Sequence, residues 1–115
     1  MALLTFLPPV NLVGTTSLVQ LLAAPPAGYI EQFNLRASLI SGSADAFANV
    51  WVNDNVGSND GYVAWNEVIR YATSGGATDI LVNYILHPNY SLQISASAPS
   101  VINFQAYNRV QKKIS

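Results

Sequence analysis

Hydrophobic and polar side chains alternate along much of this chain, with the period of two that is typical of β-strands. Segment 33–39 sets Phe, Leu, Ala and Leu between polar residues, and segments 46–53, 92–97 and 102–107 repeat the alternation. Successive side chains of a strand point to opposite faces of its sheet. Each segment is therefore predicted as an antiparallel strand with one buried face.

Three more segments are predicted as strands from their residue types. Segment 62–71 is rich in aromatic and β-branched residues, 79–86 is a nearly continuous apolar run, and a first strand lies near 18–23. Turn signals separate the strands at 25–28, 41–43, 53–61, 74–76, 87–89 and 98–100. No stretch carries a long stripe with the helical period. About seven or eight strands at regular spacing predict a β-sandwich or barrel.

The N-terminal region has no charged side chain before Glu31. A signal peptide and a membrane span both fit poorly, because no basic residue precedes the apolar run and polar residues interrupt it. We predict that Leu3–Leu7 forms an extended arm, stiffened by Pro8-Pro9, that packs either on its own sandwich or on a neighbour. The predicted organisation is an arm over 1–17, a sandwich over 18–111 and a short basic tail over 112–115.

The composition narrows the possible functions of this 115-residue chain. Charged residues make up 10% of it, whereas a soluble domain has about 25%. A net charge of -1 disfavours nucleic-acid binding and binding to anionic membranes, which both need a basic face. The chain has no cysteine, which excludes disulfides, a thiolate nucleophile and Cys-ligated zinc.

Few residues are suited to catalysis or to metal binding. His87 is the only histidine and precedes a proline in a predicted turn. Asp54, Asp60 and Glu67 offer a conceivable carboxylate pair for glycoside hydrolysis. The loop at 53–61 has oxygen ligands for Ca²⁺ but lacks an EF-hand register, and turns use the same residue types. We predict no enzyme activity, no metal and no cofactor.

The large aromatic residues need an explanation. If Ala48 and Val50 face the core, Phe47 and Trp51 face away from it, and in a regular strand Trp65 lies opposite Tyr62. Three interpretations stay open: a β-bulge or a covering loop, a protein interface, or a platform for sugars. Low charge favours the interface. The candidate interface residues are Leu3, Leu4, Phe6, Phe47, Trp51, Tyr62 and Trp65.

Two segments carry a resemblance to a known group of proteins. Segment 19–30, VQLLAAPPAGYI, leads an apolar strand through a Pro-Ala-Gly turn into the long alternating strand that ends at Leu39. Segment 80–98 leads an apolar strand through His-Pro-Asn into a strand that ends in Ala-Ser-Ala. Over about residues 18–110 the chain resembles small β-sandwich virion proteins of tailed bacteriophages, which include head decoration (cement) proteins and related head or tail accessory proteins. Asn89 stands where this group often has glycine.

The resemblance implies a single all-β antiparallel sandwich of jelly-roll type with an extended N-terminal arm. It implies a structural virion protein, and we expect a decoration protein that binds the outside of a phage head and braces neighbouring capsomers. A tail or neck accessory protein is the alternative, and a carbohydrate-binding module is the alternative from another class. The expected partners are the major capsid protein or other virion proteins and further copies of the chain, with a homotrimer favoured. The expected location is the virion, assembled in the host cytoplasm.

Overall fold

The chain is built from β-strands in two sheets. The computed structural model describes residues 3–41, 44–54, 60–71 and 77–114. These residues contain no helix, and thus none that could span a membrane. Their nine strands are β1 (Leu4–Leu7), β2 (Val10–Val13), β3 (Val19–Leu22), β4 (Tyr29–Leu39), β5 (Ala46–Asp54), β6 (Gly61–Ile69), β7 (Ala77–Leu86), β8 (Tyr90–Ala96) and β9 (Ile102–Lys113). The predicted all-β sandwich is confirmed.

All strand pairs are antiparallel. Sheet A has the order β1-β9-β4-β7, and β2 also pairs with β9, next to β1 along the same edge. Sheet B has the order β3-β8-β5-β6. Apart from the consecutive strands β5 and β6, neighbours in each sheet come from distant parts of the chain, so the chain crosses repeatedly between the two sheets. This connectivity places β1, β2 and β7 at the edges of sheet A, and β3 and β6 at the edges of sheet B.

The two ends of the chain belong to the sandwich. Residues 1–17, predicted as an arm, contain β1 and β2, which complete the edge of sheet A. Lys112 and Lys113, predicted to lie in a solvated basic tail, are instead in β9 and pair with β1 or β4. Both segments thus have backbone partners that the sequence pattern did not reveal.

Alternation along the long strands creates the core. In β4 the alternate residues from Glu31 to Ala37 are buried, and in β5 the alternate residues from Ala46 to Asp54 are buried. The largest fully buried apolar side chains, from both sheets, are Phe33, Phe104, Leu35, Ile69, Leu86, Leu92, Ile94, Ile102 and Val50. Each such side chain contributes about 1.5–3 kcal/mol by leaving water, so this cluster supplies most of the driving force for folding.

Three asparagines lie in strands with a left-handed backbone: Asn66, Asn83 and Asn108 have φ of 50°, 51° and 51°. Asparagine tolerates this conformation better than most residues. The backbone N–H of Asn66 donates to Asn49 Oδ1 at 2.8 Å, and that of Asn83 donates to Asn34 Oδ1 at 2.7 Å. Register shifts occur in the β5–β6 and β4–β7 pairs near these contacts. The same device therefore bends an edge strand of each sheet.

Candidate functional site

Strand β5 separates a core face from an aromatic face. Ala48 and Val50 are fully buried, whereas Phe47 and Trp51 point to the opposite face of sheet B. This is the orientation that the alternation predicted. Phe47 is exposed at the beginning of β5, and Trp51 lies beside Tyr62 of β6 in the strand register.

Three aromatic side chains form a ladder on this outer face. The rings of Trp51 and Tyr62 meet edge to face with centroids 4.7 Å apart, and those of Tyr62 and Trp65 meet at 4.5 Å. Tyr62 is 44% exposed and Trp65 is 59% exposed. We call Trp51, Tyr62 and Trp65 the aromatic ladder. It presents an unusually apolar surface for an outer sheet face.

The ladder exists because β6 is bulged. In a regular strand Tyr62 and Trp65 face opposite sides, and the alternation predicted this. Trp51 pairs with Tyr62, but its neighbour Val50 pairs with Ala64, so one residue of β6 is extra. The extra residue reverses the alternation and brings Trp65 to the side of Tyr62. The separation of these two side chains was therefore wrong. A bulge was expected to bring the aromatic residues into a single core, but the bulge in β6 leaves Tyr62 and Trp65 exposed on the outer face.

Amide groups connect the strands beneath the ladder. Asn49 Oδ1 accepts the backbone N–H of Asn66, and Asn49 Nδ2 donates to Ser95 Oγ of β8 at 3.2 Å. One side chain thus links three neighbouring strands of sheet B. Each hydrogen bond contributes about 0.5–1.5 kcal/mol. The bond to Asn66 lies at a second register shift, between Ala48 and Val50, where β6 has another extra residue.

The remaining candidate interface residues lie on the other sheet. We call residues 3–7, which are β1 and the residue before it, the β1 segment. Its residues Leu3, Leu4 and Phe6 are 73%, 49% and 77% exposed. Arg109 Nη1 donates to the carbonyl oxygen of Pro8 at 2.8 Å, which holds the corner between β1 and β2 against β9. The seven candidates therefore form two surfaces on opposite sheets, rather than one patch.

An apolar row continues from β1 across the outer face of sheet A. Phe6 pairs with Val110, Val110 with Gln32, and Gln32 with Ile85. Ile85 is exposed as well. Lys112 Nζ donates a hydrogen bond to Gln32 Oε1 at 2.5 Å, so the side-chain oxygen of the glutamine is bound by the lysine. Three of the four positions in this row are thus apolar and accessible or half-buried.

A polar cluster occupies the same face of sheet A, nearer the other end of the strands. Arg36 Nε donates to Asp79 Oδ1 at 3.0 Å, and Tyr107 Oη donates to the same oxygen at 2.9 Å. The hydrogen bond from Arg36 holds the pKa of Asp79 below its usual value, and the hydrogen bond from Tyr107 acts in the same direction. All three groups are satisfied by one another, which is typical of a structural cluster.

The candidates for chemistry are not gathered into a site in the described part of the chain. His87 is exposed in a turn, where its carbonyl accepts the N–H of Tyr90 at 3.2 Å. Asp60 Oδ1 accepts the backbone N–H of Asp54 at 2.9 Å. Among the described residues, no group of three or more acidic or histidine side chains is placed so that it could hold a metal ion. The central residues of the predicted loop at 53–61 lie outside those ranges, as do most of the turns at 41–43 and 74–76.

Comparisons with known proteins identify relatives by structure only. No family model matches the chain, and no curated protein matches it. A chain from the acidic stable capsid structure of Helicobacter pylori bacteriophage KHP30 aligns with a TM-score of 0.58 and 11% identity, over 99% of this chain and 90% of that chain. A chain of Bacillus endospore appendages, described as disulfide-linked pili, aligns with a TM-score of 0.51 and 10% identity, over 97% and 88%.

A third neighbour is more distant. A pentameric capsid protein from metagenomic phage sequences aligns with a TM-score of 0.46 and 16% identity, over 92% of this chain and 60% of that chain. At these identities the likeness concerns the fold. The fold shared with the KHP30 capsid chain agrees with the fold that the sequence resemblance implied, that of small phage virion β-proteins.

Proposed function

We propose that the chain is a structural protein of a phage particle, and that it decorates the outside of the head. The observation that carries this proposal is the pair of exposed apolar surfaces, the aromatic ladder and the β1 segment, on a chain with little charge. Interface cores are enriched in aromatic residues and depleted in charge. The fold shared with a chain of the KHP30 capsid supports the assignment to a virion.

The placement of the two surfaces on opposite sheets supports a bridging role. A protein that braces a shell contacts the shell and also a neighbouring molecule, and therefore needs two separate surfaces. Many weak contacts on a repeating lattice act together through effective concentration. We assign the ladder of sheet B to the shell and the β1 segment to a neighbouring copy, with particles assembled in the host cytoplasm.

The strand order supports a jelly-roll type of sandwich. If β1 and β2 are counted together as one edge strand interrupted by Pro8-Pro9, the sandwich has eight strands, which can be renumbered from one to eight along the chain. Sheet A then has the strand order 1-8-3-6, and sheet B has the strand order 2-7-4-5. This is the connectivity of two Greek keys that form a jelly roll, an architecture of viral capsid proteins and of lectins.

The disulfide chemistry named for the endospore pili is absent from this chain, which has no cysteine. Disulfide bonds therefore take no part in any assembly of this protein. We also propose that it acts without catalysis, because its exposed apolar surfaces are suited to binding other proteins and the exposed Arg36–Asp79 pair is satisfied within the fold. A tail or neck position in the same particle remains the alternative within this class.

A carbohydrate-binding module is the second candidate, favoured by the exposed rings of Tyr62 and Trp65 in the aromatic ladder. Sugars stack on such rings. Titration with glycans separates the two functions: a sugar site changes the fluorescence of Trp51 and Trp65, whereas a decoration protein shows no change.

Co-sedimentation tests the decoration proposal directly. Purified chain is mixed with phage heads that lack it, and the bound fraction is compared between wild type and Trp65→Ala. We expect wild type to sediment with the heads and Trp65→Ala to bind at least about tenfold more weakly, because truncating a central interface tryptophan typically costs 2 kcal/mol or more. Val82→Ala, at an exposed site on β7, is the matched control and should bind like wild type. Equal binding of all three proteins would contradict the assignment of the ladder to the shell.

A further inference from the structure

The edges of the two sheets differ in how they are protected. The pairs that contain the edge strands β3, β6 and β7 all have register shifts, whereas the pairs of β1 and β2 with β9 have none. Bulges and charges are the usual means by which an edge strand avoids pairing with another chain. Strand β1 has neither, since its sequence is Leu-Thr-Phe-Leu.

Open hydrogen-bonding groups lie along β1. The N–H of Lys113 donates to the carbonyl of Leu3 at 3.0 Å, so residue 3 directs its backbone towards β9. In an antiparallel ladder the bonded residues alternate. Leu4 and Phe6 therefore direct their N–H and C=O groups away from β9, and no described strand lies on that side of β1.

We propose that β1 pairs with β1 of a second copy across a two-fold axis at Thr5. In this register Leu4 of each copy lies opposite Phe6 of the other, and each such pair exchanges two hydrogen bonds. The outward backbone N–H and C=O groups of Leu4 and Phe6 then all form hydrogen bonds with the second copy. A shift that brought Leu4 opposite Pro8 would lose a bond, because proline has no N–H.

The side chains also favour a second copy as the occupant. Leu4 and Phe6 share the outer face of sheet A, so the pairing gathers two leucines and two phenylalanines into one apolar cluster. No charged residue lies in β1, and two copies therefore meet without repulsion between their edges. The symmetric pairing joins the two copies of sheet A into one continuous sheet.

The contact is small. Four residues per copy bury far less than the roughly 1,600 Å² of a standard interface, so we expect the pair to be transient in dilute solution and to accumulate where copies are held close together. The inference deepens the proposed contact between neighbouring copies. Its test uses purified protein without particles, so its failure is distinguishable from failure of the decoration proposal.

Disulfide trapping detects such a pair, because the natural chain has no cysteine. At the two-fold axis, residue 5 faces its own copy in a non-hydrogen-bonded pair with Cα atoms about 4.5 Å apart, within the range for a disulfide. Residue 4 lies two positions from its own copy, about 7 Å away along the strand alone, which is too far. The Thr5→Cys and Leu4→Cys variants are therefore matched probes.

We expect the oxidised Thr5→Cys variant to form covalent dimer several-fold faster than Leu4→Cys at the same concentration. Adding Phe6→Pro to Thr5→Cys should abolish the dimer, since it removes the outward N–H while leaving the bonds to β9, and proline is tolerated at an exposed edge. Melting of the reduced proteins confirms that each variant is folded. Equal cross-linking of the Thr5→Cys and Leu4→Cys variants, or cross-linking that survives Phe6→Pro, would overturn the proposal.

Discussion

The guanidinium of Arg109 and the carboxylate of Glu31 form a bidentate ion pair inside one end of the sandwich. Nε donates to Oε2 at 2.7 Å and Nη2 donates to Oε1 at 3.1 Å. The side chains of Arg109 and Glu31 are only 13% and 5% exposed. Because Arg109 also donates to the carbonyl of Pro8, one side chain connects β9, β4 and the corner between β1 and β2. The position of the β1 edge depends on this contact.

Removing Arg109 should destabilise the fold strongly. The Arg109→Met variant leaves the carboxylate of Glu31 buried without its partner, and breaking a buried pair in this way costs about 3–5 kcal/mol. We expect a loss of that size in the free energy of unfolding, measured by urea denaturation at neutral pH.

The double variant Arg109→Met with Glu31→Leu is the control. It removes both charges, so no uncompensated carboxylate is left, and it should be more stable than Arg109→Met alone. A double variant that is less stable than the single one would show that the unpaired carboxylate of Glu31 costs less than its replacement by leucine, which would contradict the expected penalty for a buried unpaired charge.

Truncating Trp51 should affect stability less than truncating the buried residue beside it. Trp51 loses an edge-to-face contact with Tyr62, and such a contact contributes about 0.5–1.5 kcal/mol beyond the area buried. Val50 is fully buried, and Val50→Ala removes two carbons and leaves a cavity, at a cost of about 2 kcal/mol. Thermal melting of both variants should place Trp51→Ala nearer to wild type. The opposite order would mean that the face assignment of β5 is reversed.

The bulge in β6 should tolerate glycine and reject valine at position 66. Asn66 has φ of 50°, a conformation that glycine adopts freely and that costs a β-branched residue about 1–2 kcal/mol. We therefore expect Asn66→Gly to melt close to wild type and Asn66→Val to melt several degrees lower. The same pair of substitutions at Asn83 should behave alike, since its φ is 51°. Equal melting temperatures for the glycine and valine variants would argue against the left-handed bulge.

The Asp79 carboxylate should make stability depend on pH in the acid range. Its pKa is lowered in the folded state, first by the hydrogen bond from Arg36. A lowered pKa adds stability above the pKa of the unfolded chain, about 3.9 for aspartate, and that stability is lost as pH falls through the folded value. Asp79→Asn should therefore be slightly less stable than wild type at pH 7, and the difference should vanish in strong acid. A difference that grows on acidification would contradict the assignment.

The long strands were predictable because burial on one face imposes a period of two on the sequence. Strand β5 shows this period along its whole length, and β4 shows it from Glu31 to Ala37. Strand β5 was predicted close to its observed bounds, whereas β4 was predicted over 33–39 and begins earlier, at Tyr29. Strands β1 and β2 have four residues each, which is too short for the period to be recognised on either side of Pro8-Pro9. The exposed leucine and phenylalanine of β1 gave the only signal, and they indicated an interface rather than a sheet edge.

The contacts between distant residues were not predictable from the pattern. Glu31 and Arg109 are 78 residues apart, and their meeting depends on the order of the strands and on a register shift between β4 and β9. The side occupied by Trp65 likewise depends on where β6 is bulged. Asn66 lies at the next register shift along β6, beyond Trp65, so it does not identify the bulge between Tyr62 and Ala64.

The proposed position of this chain is the outer surface of a phage head. Cryo-electron microscopy of intact particles of a phage that encodes the chain would show whether it lies there. We expect density for the nine-stranded sandwich on the outside of the head, with the aromatic ladder of sheet B against the shell. Particles whose heads carry no such density, and in which the chain is absent or lies only in the tail, would contradict it.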